Sequence, residues 1–124
     1  MSALPNFVGF AEEFRVPGQT AIQPERFAAA LNLQLQELAQ LAHVHRATVS
    51  EAPGNLKLQT YLRNSLKVIS AALEVAQDRD RALYWYRNVP ISEFGHQTAE
   101  QLVAGQKTDA VLAYLQSIGG GSSG

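Results

Sequence analysis

Several features that define other protein classes are missing from this chain. Cysteine is absent, which excludes disulfide bonds and any thiolate-ligated metal site. No apolar run approaches the length of about 20 residues that a membrane-spanning helix needs. The N-terminal stretch MSALPNFVGFAEEF has no basic flank and contains Glu12 and Glu13, which argues against a signal peptide. We therefore expect a cytoplasmic protein with no membrane partner.

The sequence patterns of common catalytic sites are also absent. The chain has no glycine-rich phosphate loop, no nucleophile elbow and no pair of carboxylates in an apolar setting. His43 and His45 are two positions apart, so on a helix they would point to different faces and would not share a metal. We predict that the protein is not an enzyme and that it needs no cofactor or metal.

The residues that are present fit one globular unit with a shared core. The chain has 124 residues, of which 46% are hydrophobic and 17% are charged. Its net charge of −1 argues against strong nonspecific binding to nucleic acid, because such binding depends on neutralising phosphates. Residues 24–67 nevertheless carry five basic and three acidic side chains, whereas residues 68–124 carry four and six. The first part is therefore mildly basic and the second mildly acidic.

Apolar residues at spacings of three and four predict an all-α protein of about seven helices. The clearest is a long helix from Leu56 to Gln77, with Asn55 as its N-cap. A first helix is predicted from Pro24 to about Leu31. Before it, residues 1–23 show no sustained period and predict an irregular arm with a turn of helix near 10–14. Three aromatic residues of that arm are expected to pack on the body: Phe7, Phe10 and Phe14.

The C-terminal half contains further helix boundaries. One helix is predicted to end near Asn88. The next is predicted to begin with a capping box, in which Thr98 and Gln101 exchange side-chain to backbone hydrogen bonds. The last helix is expected to end before Gly119, and residues 120–124 have the composition of a flexible tail.

Residues Leu35–Ser50, LQELAQLAHVHRATVS, have the pattern of two short helices joined by a tight turn, as in a helix-turn-helix. The turn carries His43 where a glycine would sit most comfortably, and Pro53 ends the second helix early. Contact between the two helices is expected from apolar or small residues: Leu35, Leu38, Ala39, Ala42, Val44, Val49 and Ala52. Short hairpins in ordinary all-α cores give the same spacing, so a purely structural role is the alternative.

If this helix pair reads DNA, the contacts come from its outward side chains. Arg46 is the best base-edge candidate, because its planar guanidinium can bind guanine through two hydrogen bonds. Thr48 and Ser50 are its neighbours, and phosphate contacts are expected from three further residues: His45, Asn55 and Lys57. The alternative for Arg46 is a solvated charge at a helix end. A short recognition helix on a nearly neutral body needs a second half-site, so we also predict a homodimer.

Three consecutive aromatic residues, Tyr84, Trp85 and Tyr86, cannot all share one environment on a helix. We predict that Trp85 is the one buried in the core. An exposed Trp85 would instead be an anchor for a protein partner, since aromatic residues dominate interface energetics.

The segment that begins at Ala82 resembles the toxin-binding domain of the Xre/MbcA/ParS antitoxins. Its pattern is A-x-x-W, then P-x-x-x-F-G-x-x-T-A-x-x-L-V, then V-x-x-Y-L-x-x-I-x-x-G. The residues that carry the resemblance are Ala82, Trp85, Pro90, Phe94, Gly95, Thr98, Ala99, Leu102, Val103, Gly105, Val111, Tyr114, Leu115, Ile118 and Gly121. The upstream LAQLAHVHRATVS resembles an Xre-type helix-turn-helix, so that the resemblance covers about residues 24–121 and follows the order of that family.

The resemblance implies an antitoxin of a type II toxin–antitoxin system. Such an antitoxin binds a RES-domain toxin that degrades NAD, occludes its active site and represses its own promoter. By this resemblance, an arm (1–23) precedes a helix-turn-helix domain with a long connecting helix (24–77), then a toxin-binding and dimerisation domain (78–119) and a tail (120–124). The implied contact residues in the third unit are Trp85, Phe94, Leu102, Val103, Val111, Tyr114, Leu115 and Ile118.

Two alternatives to an antitoxin stay open at the level of sequence. The first is a stand-alone helix-turn-helix transcriptional regulator that dimerises through its C-terminal half and needs no protein partner. The second is a structural module that binds no DNA. The first predicts binding to a palindromic operator by the protein alone.

Overall fold

The computed structural model describes residues 9–119, and within them the fold is all-α, as predicted. Residues 9–12 are helical, and seven α-helices and one short 3-10 helix follow. Their bounds are α1 Pro24–Leu31, α2 Leu35–Ala42, α3 Arg46–Glu51, α4 Leu56–Ala76, α5 Arg79–Asn88, the 3-10 helix Ser92–Phe94, α6 Ala99–Ala104 and α7 Thr108–Gly119. Within residues 9–119, extended segments pair in two isolated β-bridges.

The long helix α4 is the element around which the others pack. It has 21 residues and is therefore about 32 Å long. Asn55 Oδ1 accepts a hydrogen bond from the backbone N–H of Leu58 at 3.0 Å, which confirms the predicted N-cap. The helix ends at Ala76, and its C-cap residue Gln77 has a φ of 57°, in the left-handed region. Helices α2, α5, α6 and α7 all contact α4. Neither α4 nor any other helix in residues 9–119 is both long and apolar enough to cross a membrane.

One contiguous core runs through both predicted halves, residues 24–77 and residues 78–119. Aromatic rings in edge-to-face contact lead from the arm into α4: Phe10 to Phe14 at 5.2 Å, Phe14 to Phe27 at 6.4 Å and Phe27 to Tyr61 at 6.3 Å between centroids. The predicted packing of Phe10 and Phe14 is thus confirmed, whereas Phe7 lies outside the described residues. The same core continues to Val111 and Leu115 of α7. Neither half therefore has a separate core.

Local capping explains where the C-terminal helices begin. Asp78 Oδ2 accepts a hydrogen bond from the backbone N–H of Arg81 at 2.9 Å, at the start of α5. At the start of α6, the Gln101 N–H donates to Thr98 Oγ1 at 3.1 Å, and the Thr98 N–H donates to Gln101 Oε1 at 2.9 Å. The predicted capping box is therefore confirmed.

The prediction for Gly119 is wrong, because this residue is the last of α7 and not the first beyond it. A glycine suits this position for a reason of packing. A Cβ atom on Gly119 would lie 2.6 Å from Cγ2 of Val75, at the end of α4. The glycine therefore allows the C-terminal ends of α4 and α7 to approach closely.

The prediction that Trp85 is the buried aromatic residue is also wrong. Tyr86 is 0% exposed, Trp85 is half-buried and Tyr84 is 64% exposed. Tyr86 can be buried completely because its hydroxyl donates a hydrogen bond to Ser65 Oγ at 2.9 Å. The prediction that Ala52 lies in the contact between α2 and α3 is wrong as well. Ala52 is exposed and lies beyond the end of α3, with a φ of −135°.

Candidate nucleic-acid and partner-binding surfaces

The helices α2 and α3 pack against each other across a tight turn. A capping box of Gln34 and Glu37 begins α2. His43 ends it with a φ of 60°, in the left-handed region where glycine was the expected residue. Buried side chains fill the contact between the helices and the core: Leu38, Ala39, Ala42 and Val49. A DNA-reading pair and a purely structural hairpin both predict this packing.

The predicted DNA-contact residues lie mostly on the surface of this region. His45, Arg46, Ser50 and Lys57 are exposed, and Thr48 is half-buried. Within the described residues, Arg46 and Lys57 form no ion pair. The remaining predicted contact residue, Asn55, is also exposed, but its side-chain oxygen already caps α4. Arg46 and Lys57 are thus the two cations of this set that are available to a partner.

The residues that the resemblance implies for partner binding divide into two groups. Four are buried in the protein's own core and cannot reach a partner from this conformation: Leu102, Val103, Val111 and Leu115. Phe94 and Tyr114 are half-buried and in edge-to-face contact, with centroids 5.9 Å apart. Ile118 follows Tyr114 by four residues on the same helix face and is 50% exposed. We call Phe94, Tyr114 and Ile118 the aromatic strip. The eighth residue, Trp85, is half-buried on α5.

His43 connects the turn between α2 and α3 to the C-terminal half. Its Nε2 atom lies 2.8 Å from the carbonyl oxygen of Ala104, the last residue of α6. A carbonyl oxygen can only accept a hydrogen bond, so Nε2 carries the proton. The sequence predicts the left-handed backbone of this residue but contains no signal for its contact with α6.

Arg87 of α5 is a second connection that the sequence did not reveal. Its guanidinium donates to the carbonyl oxygens of Leu31 and Asn32, at 3.1 and 3.3 Å. It also pairs with the carboxylates of Glu37 at 3.6 Å and Glu100 at 3.1 Å. Arg87 therefore links α5 to the end of α1, to α2 and to α6. Its partners are far away in the sequence, so no local pattern could have indicated them.

Glu100 is the buried carboxylate of this cluster, with a side-chain exposure of 8%. Burial raises the pKa of the Glu100 carboxyl above its usual value, and the neighbouring Glu37 acts in the same direction. The guanidinium of Arg87 lowers this pKa, but its effect is smaller than that of burial. The carboxylate of Glu100 that pairs with Arg87 is therefore partly desolvated.

A cluster of hydroxyl groups lies in the core between α4 and α5. Burial raises the pKa of Tyr61 to about 12, and it raises the pKa of Tyr86 well above the usual value for tyrosine. Tyr86 donates to Ser65, as described above. The Tyr61 hydroxyl lies close to both of these groups, yet it forms no hydrogen bond of acceptable geometry within the described residues. This cluster therefore fixes the packing of α5 on α4.

Comparison with other proteins adds no functional assignment, since no family model, no curated protein and no solved structure matches the chain significantly. Within residues 9–119, no group of three or more His, Cys, Asp or Glu side chains is placed to hold a metal ion.

Proposed function

We propose that this protein is the antitoxin of a type II toxin–antitoxin pair. The C-terminal half binds a toxin enzyme, of the RES-domain type that degrades NAD, and α2 and α3 contact operator DNA. The proposal starts from the resemblance of both halves, in that order, to the Xre/MbcA/ParS antitoxins. The structural observation that supports it is the aromatic strip, because three of the implied contact residues lie on the surface beside one another.

The aromatic strip has the properties of a protein-binding surface. Two aromatic rings and an aliphatic side chain supply the kind of contact that dominates interface energetics. Beneath them, Val111 and Leu115 are buried and fix α7 on α4. Tyr114 and Ile118 are thus presented by a helix that is packed on the core, which lowers the entropy lost when a partner binds.

Co-expression with a candidate toxin tests this proposal most directly. The candidate is a RES-like reading frame beside the gene for this protein, and the readouts are co-purification and growth. Tyr114→Asp and Ile118→Asp should weaken the complex, because each places a charge in the apolar contact. Tyr84→Asp is the matched control, since Tyr84 is 64% exposed but belongs to α5 and not to the strip. Failure of the wild-type protein to form a complex or to restore growth would refute the antitoxin assignment.

The DNA-binding part of the proposal rests on Arg46 and on a homodimer. Arg46 is exposed and unpaired within the described residues, so its guanidinium is available to a base edge. Arg46→Ala should cost about 1 to 3 kcal/mol of operator binding and relax one operator position. Light scattering at micromolar concentration tests the dimer that supplies the second half-site, and a monomer alone would contradict it.

A stand-alone regulator is the second candidate, and the unpaired cations Arg46 and Lys57 support its DNA contact as they support that of the antitoxin. This candidate predicts operator binding by the protein alone, no complex with a neighbouring gene product, and a dimer that Ile118→Asp disrupts. Retained dimerisation together with loss of toxin binding in Ile118→Asp would instead favour the antitoxin.

A further inference from the structure

Six basic side chains of the described residues form neither an ion pair nor a hydrogen bond: Arg46, Lys57, Arg63, Lys67, Arg81 and Lys107. The other basic side chains bind carboxylates or backbone carbonyls, as Arg79 and Arg87 do. A protein with a net charge of −1 has enough carboxylates to pair these cations. Their separation from the carboxylates therefore leaves local positive charge on the surface.

Three of the six line a trough between α4 and the segment that runs from the end of α6 to the start of α7. The trough consists of two adjoining clefts of about 320 and 400 Å³, which share Asn64 and Gln106. We call it the lysine trough and define it by Lys57, Thr60, Asn64 and Lys67 on one wall and Gln106 and Lys107 on the other. Asp109 is the single carboxylate among the residues that line the two clefts.

The trough begins beside the helix pair and is extended along α4. His43, at the turn between α2 and α3, lines the same cleft as Lys57. Lys57 and Lys67 are ten residues apart on α4, which corresponds to about 15 Å along the helix axis. A small anion could not reach both lysines, whereas a polyanion with regularly spaced charges could follow the whole wall.

The polar groups that line the trough suit a phosphodiester backbone. Thr60, Asn64 and Gln106 offer hydroxyl and amide donors, which are common partners of phosphate oxygens. An acidic peptide would also need apolar anchors, and the cleft beside the helix pair offers some, among them Leu41, Leu56 and Val103. Between Asn64 and Lys107, however, the lining is mostly polar.

We infer that the lysine trough is a path for a nucleic-acid backbone, and that it extends the DNA contact of the helix pair along α4 to the C-terminal half. This inference rests on the DNA-binding part of the proposed function. It assigns phosphate contacts to Lys67 and Lys107, which lie outside the helix pair α2 and α3. A DNA strand that contacts Lys57 would continue along the trough, where its phosphates would neutralise the charges of Lys67 and Lys107.

Titration of the full-length protein with duplex DNA over a range of salt concentrations tests the inference. The probe is a labelled duplex of arbitrary sequence and about 20 base pairs, which is two helical turns. The double variant Lys67→Ala/Lys107→Ala should bind several-fold more weakly. Its slope of log affinity against log salt should be smaller by about 1.8 units, since each lost phosphate contact contributes about 0.9. Arg81→Ala is the matched control, because Arg81 is an exposed, unpaired cation on α5 outside the trough. Its slope should equal that of the wild type.

The outcomes separate this inference from the proposed function. An unchanged slope in the double variant overturns the trough and leaves the helix pair as the proposed DNA contact, which Arg46→Ala tests on operator DNA. A reduced slope in the double variant supports the trough, whether or not the helix pair reads a specific operator. Failure of the wild type to bind duplex at low salt overturns the trough, while toxin binding is tested independently. The nucleic-acid inference is also overturned if a polyglutamate peptide binds more tightly than the duplex and the double variant loses this peptide binding. That outcome would favour an acidic protein partner.

Discussion

The imidazole Nε2 of His43 donates a hydrogen bond of 2.8 Å to the carbonyl oxygen of Ala104. This bond joins the turn of the helix pair to the end of α6, which are 61 positions apart in the chain. It satisfies a carbonyl group at a helix C-terminus that has no partner within its own helix. The position of α2 is therefore tied to the half that carries the aromatic strip.

Loss of the His43 contact should destabilise the protein by about 1 kcal/mol, the usual net contribution of one hydrogen bond. His43→Asn tests this, because asparagine tolerates the left-handed backbone but is shorter than histidine. His96→Asn is the matched control: His96 is also an exposed histidine in the left-handed region, with a φ of 65°, but its ring has no hydrogen-bond partner in the described chain. Equal changes in urea unfolding for the two variants would show that the ring contact contributes nothing.

The two buried tyrosines should respond differently to removal of their hydroxyl groups. Tyr86→Phe leaves the buried Ser65 hydroxyl without its donor and should lower the free energy of unfolding by about 1 to 2 kcal/mol. Tyr61→Phe removes a buried hydroxyl that has no partner among the described residues, so stability should stay constant or rise. Urea unfolding of both variants measures the difference. A larger loss in Tyr61→Phe than in Tyr86→Phe would contradict the hydrogen-bonding assignment.

Arg87 should contribute far more to stability than a surface arginine. Arg87→Met leaves Glu100 buried without its cation and removes the donors to α1, so we expect a loss of about 3 kcal/mol or more. Arg79→Met breaks an exposed pair with Glu13 and should cost about 1 kcal/mol at most. Thermal and urea unfolding compare the two variants directly. Losses of similar size would mean that the Arg87 cluster is as weak as a surface pair.

Glu100 should make stability fall as pH rises. The pKa of its carboxyl is higher in the folded protein than in the unfolded chain, so the folded state binds more protons through the intervening window. That window begins at the ordinary carboxyl pKa of about 4.3 and extends upward, and within it each rise in pH favours unfolding. Glu100→Gln should remove this contribution. The measurement is the difference in unfolding free energy between wild type and variant as a function of pH, and a difference that is independent of pH would contradict the shift.

Signals confined to a few neighbouring residues predicted the structure well. Asn55, Thr98 with Gln101, and His43 were all assigned their backbone roles from sequence, because caps and turns depend on residues within one helical turn. The helix period likewise located the buried face of α4. The all-α class follows from these local signals.

Contacts between distant segments could not be predicted in the same way. Nothing near Tyr86 in the sequence indicates Ser65, so the choice of Tyr86 over Trp85 as the buried ring depended on a partner in another helix. Nothing near Arg87 indicates Leu31 or Glu37. At the candidate surfaces, the resemblance to the antitoxin family implied Leu102 and Val111 as contact residues, whereas both are buried in the core. One chain shows which residues are apolar, but only the packing of helices decides which of them reach the surface.

The shared face of α4 limits how this protein can diverge by recombination. Tyr61 near its start contacts Phe27 of α1, Ser65 accepts from Tyr86 of α5, and Val75 near its end lies against Gly119 of α7. A chimaera joined after residue 77 would therefore bring a foreign C-terminal half against a helix shaped for the original one. To exchange partner specificity between two such chains, the residues of α4 that contact α5 and α7 would have to be exchanged together with residues 78–119.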